Sequence, residues 1–190
     1  MVNTVEQPFL MPVEDVFRLR QGRAVMVTGR IERGRVRRGD EVEIVGSGGG
    51  TTVRVADIDA GRVRVGEAGA DMHVGILLPG TAADTVERGQ VLAAPGSVGA
   101  HARFTADIVL LSEEHGGADV VSGDRLRFHT RSAAVWGAVT LHGVDVVRPR
   151  HGAGVTVTLD EPVALEVAQA FAFRHLGRAA GSGTVTRLPT

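Results

Sequence analysis

Apolar residues in this chain recur mostly at every second position, in short runs rich in Val, Thr, Arg and Gly, and few windows place them at helical spacing. That period predicts strands over residues 25–31, 41–45, 53–58, 74–78, 90–93, 103–111, 125–130, 134–141, 155–159, 171–174 and 183–188. Between the first two, Glu32, Arg33, Gly34 and Arg35 form a turn signal and Gly39-Asp40 a second break, which predicts a hairpin. The glycine-rich stretch 46–50 reads as a flexible connection. It is no phosphate cradle, because no Lys follows it and no helical period opens behind it. Strands at such regular spacing favour barrels or sandwiches over a parallel sheet with crossover helices, so the class is all-β. Ala94-Pro95-Gly96-Ser97 ends one set of strands before another begins, dividing the chain into 1–98 and 99–190, each of small-domain size.

Composition narrows this further. The chain has 190 residues and a formal net charge of −1, so any contact with nucleic acid has to use a local patch. All 21 basic residues are Arg, and Lys, Tyr and Cys are absent. Arg presents a planar fork suited to phosphate or carboxylate, although a GC-rich genome produces the same bias. The lack of Cys excludes disulfides and Cys-based zinc sites. The first ten residues carry Glu6 and lack the basic start and apolar stretch of a signal peptide, and no apolar run is long enough to span a membrane. Cytoplasm is the expected compartment. The halves are alike in charge, with 12 Arg against 13 acids and then 9 against 9, but six of the seven His lie in the second.

Four blocks then occur in order: Pro8-Phe9-Leu10-Met11-Pro12-Val13-Glu14-Asp15-Val16-Phe17, Val27-Thr28-Gly29-Arg30-Ile31-Glu32-Arg33-Gly34, Gly39-Asp40-Glu41-Val42-Glu43-Ile44-Val45-Gly46, and the pair Val74-Gly75-Ile76-Leu77-Leu78 with Glu87-Arg88-Gly89-Gln90-Val91-Leu92-Ala93. They resemble the second domain of the elongation factor Tu family. The second half is similar to that family's third domain through Phe104, Leu111-Ser112-Glu113-Glu114-His115-Gly116-Gly117 and the closing Phe171-Ala172-Phe173-Arg174 with Gly177-Arg178 and Gly181-Ser182-Gly183. Several translational GTPases share the first barrel, so the second is what points to this branch. The resemblance implies two antiparallel β-barrels in tandem, 1–98 and 99–190. The family's G domain precedes these barrels, whereas here Met1 stands seven residues before Pro8 and no G-x-x-x-x-G-K-S/T loop occurs, so the expectation is a chain without GTP hydrolysis and without a cofactor.

By the same resemblance Glu14, Asp15, Phe17, Thr28, His73 and Val74 would meet the aminoacyl end of a charged tRNA, with the aromatic ring stacking on an adenine and polar groups meeting hydroxyls and the amino group. Read from the residues alone, Phe17 has a second, less favoured reading as barrel core, and Glu14 and Asp15 read equally as a solvated turn. The family commonly has Ala-Gly-Glu-Asn-Val-Gly where this chain reads Ala68-Gly69-Ala70-Asp71-Met72-His73-Val74-Gly75, so an imidazole replaces an amide that offers donor and acceptor together. In the second barrel, Arg125, Arg127, Arg131, Arg178 and Gly181 align with the region that reaches the tRNA backbone, where Arg on a β surface suits phosphate and 2′-hydroxyl contacts.

Other candidates compete. The stretch 30–38 sets Arg30, Arg33, Arg35, Arg37 and Arg38 against Glu32 and would present several cations on one hairpin face, or be an ordinary solvated hairpin. Trp136 reads as a core or interface anchor ahead of a base-stacking platform. Asp57 and Asp59 form a weak metal pair that reads better as a solvated strand edge. No nucleophile elbow, H-E-x-x-H pair or cysteine nucleophile occurs, so no catalytic or metal site is assigned. Two partner classes follow. One is aminoacyl-tRNA or another structured RNA; the other is a separate GTPase, a translation factor or a second copy of the chain.

Overall fold

Alternation of buried and exposed side chains runs through most of the chain, and each alternating run is a strand. The structure is a computed structural model describing residues 7–131 and 133–189; residues 1–6, read above as lacking a leader, lie outside them. No α-helix occurs among the described residues, and no helix is long and apolar enough to cross a membrane. The class is all-β, as the period required. The chain divides into two compact units, Met1–Gly99 and Ala100–Thr190.

The first unit contains β1 (Leu10–Pro12), β2 (Asp15–Leu19), β3 (Ala24–Arg30), β4 (Arg35–Arg37), β5 (Glu41–Val45), β6 (Thr52–Arg54), β7 (Asp57–Ala60), β8 (Val63–Val65), β9 (Glu67–Gly69), β10 (His73–Pro79) and β11 (Val91–Ala93). These pair as β1-β11-β5-β6, β2-β3-β10-β7-β8 and β4-β9. One core, including Val13, Val27, Ile44, Ile58, Ile76 and Leu92, takes side chains from both larger sheets. The barrel expected over 1–98 is therefore two open sheets around a shared core. Many of these strands are three residues long, too short to carry a staggered ladder all the way round.

The hairpin expected from 25–31 and 41–45 is not formed. β3 pairs with β2 and β10, while β5 pairs with β11 and β6. The intervening residues make β4, whose Val36 is 1% exposed and whose partner is β9. Gly34 permits that path: its φ is 75°, and a Cβ there would lie 2.6 Å from the Phe9 Cα. The 46–50 stretch is likewise a bonded turn rather than a loose connection, with the Gly49 N–H on the Gly46 carbonyl at 3.0 Å and the Gly50 N–H on the Ile44 carbonyl at 2.7 Å.

Gln90 ties three segments of this unit together. It is 2% exposed; its Nε2 donates to the Ser47 carbonyl at 2.7 Å and the Thr85 carbonyl at 2.8 Å, and its Oε1 accepts the Glu87 N–H at 2.6 Å. A buried amide satisfied on both sides fixes geometry as well as lowering energy.

The second unit contains β12 (Gly99–Leu110), β13 (Val120–Val121), β14 (Arg125–Thr130), β15 (Ala133–Leu141), β16 (Val146–Val147), β17 (Gly152–Leu165), β18 (Ala170–His175) and β19 (Arg178–Arg187). Six of them close a barrel in the order β12-β17-β15-β14-β18-β19, and β13 pairs with β16 outside it. Phe104, Phe128, Phe171 and Phe173 fill its interior, with ring centroids 5.6–6.5 Å apart. Gly181 makes room for one of these rings: a Cβ there would lie 2.5 Å from Phe173 Cζ and 2.4 Å from the Val109 carbonyl oxygen.

Candidate nucleic-acid interface

In the first unit the ladder β2-β3-β10-β7 sets Asp15, Thr28, Gly75 and Asp59 in one row, with Phe17, Met26 and Leu77 two residues along. Phe17 is 52% exposed, which removes the core reading for it. His73, opposite Arg30 on β3, donates from Nε2 to Glu14 Oε2 at 3.0 Å, so two residues 59 apart in sequence meet. Glu14, Asp15, Phe17, Thr28 and His73 thus share a neighbourhood. Val74 departs from the expectation: alternation along β10 turns its side chain into the core, where it is 1% exposed. Beside it lies a shallow recess of about 230 Å³ lined by Met26, Thr28, Asp59, Arg62 and His73.

Most arginines of this unit are engaged within it. Arg30 Nη1 donates to the Asp71 carbonyl at 2.7 Å and Arg33 Nε to the Pro8 carbonyl at 3.2 Å, while Arg35 and Arg37 each reach Glu67 at 2.6 Å. The hydrogen bond from Arg37 above all, with help from the Arg35 charge and against some burial, holds the Glu67 carboxyl below its usual range. Four of the five guanidiniums of the 30–38 stretch are thus held within the unit, two by backbone carbonyls and two by the one Glu67 carboxylate. Asp57 and Asp59 both bind Arg64, the latter at 2.7 Å from Nε, which makes them an ion-pair cluster rather than a metal pair. Burial pushes the Asp57 carboxyl up, but hydrogen bonds from Arg64 and the Ile58 N–H outweigh it and leave it lowered.

The second unit is arranged differently. Buried Leu126, Phe128 and Thr130 on β14 turn Arg125, Arg127 and His129 outward. Register then gives three rows across the barrel wall: Arg174–Arg127–Trp136, Ala172–His129–Ala134, and Arg125–Ala138–Thr158. Arg127 Cζ lies 5.7 Å from the centroid of the Trp136 ring, and Trp136 is 45% exposed, so it is not a core residue. Burial, and then the positive charges of Arg127 and Arg174, push the His129 imidazole below its ordinary value.

The remaining candidates separate by what they touch. Arg125 bonds Asp160. Arg131, in a left-handed conformation at φ 47°, is mostly buried and clamps the turn after β17, donating to Gln169 Oε1 at 2.6 Å and Glu166 Oε2 at 2.7 Å. Its guanidinium faces the protein, which is a structural role. Gly181 is buried and is required by the Phe173 ring. Arg178 stands exposed at the start of β19. Sequence reasoning left Arg174 and His129 out of the site, although alternation in phase with buried Phe171, Phe173 and Phe128 places both outside.

Comparison with known families agrees with this two-part architecture. The model of elongation factor Tu domain 2 matches residues 24–93, and that of the elongation factor Tu C-terminal domain matches residues 97–189. With both matches in chain order over most of its length, the chain belongs to the elongation factor Tu family.

Proposed function

We propose that this chain is a non-enzymatic RNA-binding module of protein biosynthesis, acting in the cytoplasm on aminoacyl-tRNA or another structured RNA. The observation that carries the reading is the outward row of Arg174 and Arg127, flanked by His129 and Arg125 on adjacent ladder positions. Arg127 and Arg174 can each meet a phosphate in a chain whose net charge is only −1. In the first unit, the Glu14–His73 pair, Asp15, Thr28 and Phe17 are the groups that would meet an aminoacyl end. No P-loop motif lies in these 190 residues, so capture and release follow mass action or a partner rather than a nucleotide bound here.

A gel-shift and filter-binding comparison of charged and uncharged tRNA tests both parts. Binding at low salt that weakens steeply with added salt supports the basic face, and a preference for the charged form supports the Glu14–His73 neighbourhood. Absence of a shift at low salt overturns the RNA reading. A second reading, docking on a separate GTPase or translation factor, rests on a different observation: Phe17 and Leu19 are exposed on β2, an edge strand of its sheet. Phe17→Ser should abolish such an association, as read by sedimentation with candidate factors, and leave RNA binding through the second unit unchanged.

A further inference from the structure

Trp136 stands in surroundings that choose among RNA forms. Its same-face neighbours along β15 are Ala134 and Ala138, which carry a single methyl each, so the indole rises above the sheet instead of being walled in. Across the ladder Arg127 lies against the ring, and Arg174 continues the same row. His129 and Arg125 occupy the positions diagonal to it. The ring therefore has a guanidinium along one side, exposed area elsewhere, and a polar rim in which Arg127 and Arg174 share its row and Arg125 is bonded to Asp160. The two guanidiniums in its row, Arg127 and Arg174, present planar forks of donors suited to phosphates.

Double-helical RNA keeps its base faces stacked inside, and it meets a protein through backbone and 2′-hydroxyl groups. A raised indole offers such a duplex little beyond contact area. An unpaired nucleotide, by contrast, can lay its base on the indole while its flanking phosphates reach Arg127 one strand away and Arg174 two strands away, roughly 5 and 10 Å. We infer that the RNA held on this face of the second unit presents an unpaired base, from a loop, bulge or single strand, which stacks on Trp136. This rests on the RNA-binding reading above and adds the structural class of the ligand.

The chain supplies its own probe, because Trp136 is its only Trp and it has no Tyr. Binding is measured by the anisotropy of a dye-labelled short mixed-sequence RNA, and stacking by Trp136 emission. Both are followed for the single strand and for the same strand annealed to its complement. The single strand should bind and quench Trp136. Trp136→Ala should weaken single-strand binding about tenfold and leave duplex binding unchanged, and Trp136→Phe, which keeps a π face, should recover most of the loss. Trp136 is exposed, so circular dichroism of these variants should match that of the parent. If both RNA forms bind without quenching, or Trp136→Ala weakens both alike, the stacking inference is overturned and RNA binding stands. If neither form binds at low salt, both fall. A Trp136 emission shift that grows with protein concentration in the absence of RNA would assign the ring to contact between copies of the chain, and that too overturns the inference.

Discussion

Arg35 and Arg37 in the first unit share Glu67, and Arg64 there holds both Asp57 and Asp59. In the second unit Arg125 holds Asp160 and Arg131 holds Glu166, while Arg127 and Arg174 stand side by side in one row with Trp136. The halves hold almost balanced acids and bases, so totals do not distinguish them. What differs is that the second unit groups two guanidiniums in one outward row, where Arg174 bonds the uncharged Gly177 carbonyl. A guanidinium already bonded to a carboxylate has less left for a polyanion than one facing outward on a rigid wall.

The sharpest way to break this comparison is to remove the wall. Phe128→Ala should cost about 3–5 kcal/mol in a denaturant titration and abolish RNA binding where the barrel is lost. Arg131→Ala comes next, at about 1–3 kcal/mol, because it removes the mostly buried hydrogen bonds to the Gln169 amide and the Glu166 carboxylate. RNA affinity measured where that variant is still folded should be unchanged; a loss would return Arg131 to the interface. Arg127→Ala should do the reverse, weakening RNA binding about fivefold and lowering the salt slope by about one phosphate, with stability within about 1 kcal/mol of the parent.

A smaller effect is tied to pH. The folded-state pKa of His129 lies below its ordinary value of 6.5. Its contribution to stability is therefore complete above that value and is lost as the pH falls through the lowered one, because the native state takes up its proton later than the unfolded chain. A bound phosphate favours the imidazolium, so RNA binding should tighten as the pH falls toward the lowered His129 value, and His129→Gln should flatten the profile. Smallest of all, Arg37→Ala should leave RNA affinity unchanged, since that guanidinium is bonded to Glu67 within its own unit. An affinity loss equal to that of Arg127→Ala would erase the distinction between the units.

Much of this was legible in the chain because strand alternation is local. The period placed β14 and β15 almost residue for residue, and with them the outward phase of Arg125 and Arg127. Alternation identifies a strand without naming its partner, which is why residues 25–31 and 41–45 were paired in expectation and lie in different sheets. It is equally silent on three-residue strands such as β4 and β9, which hold too little of a period to register. The site was read least well where contacts are long-range. Arg131 meets Glu166 and Gln169 across 35 and 38 residues, and nothing near Arg131 announces that its cation turns inward. Trp136 was weighed as a core or interface anchor from its residue type, and the small Ala134 and Ala138 beside it were the overlooked signal.

Surface loops ordinarily change length at little cost, which makes them the usual places for insertion and grafting. Gln90 removes that freedom from part of the first unit. One amide sets the distances among the turn at Ser47, the segment 85–87 and its own strand, so these stretches are dimensioned jointly rather than one by one. A tag placed at Gly48, whose surroundings are open, leaves the arrangement intact. An insertion of the same size between Thr85 and Glu87 displaces two of the three groups that Gln90 holds, and with them the loops it keeps in step.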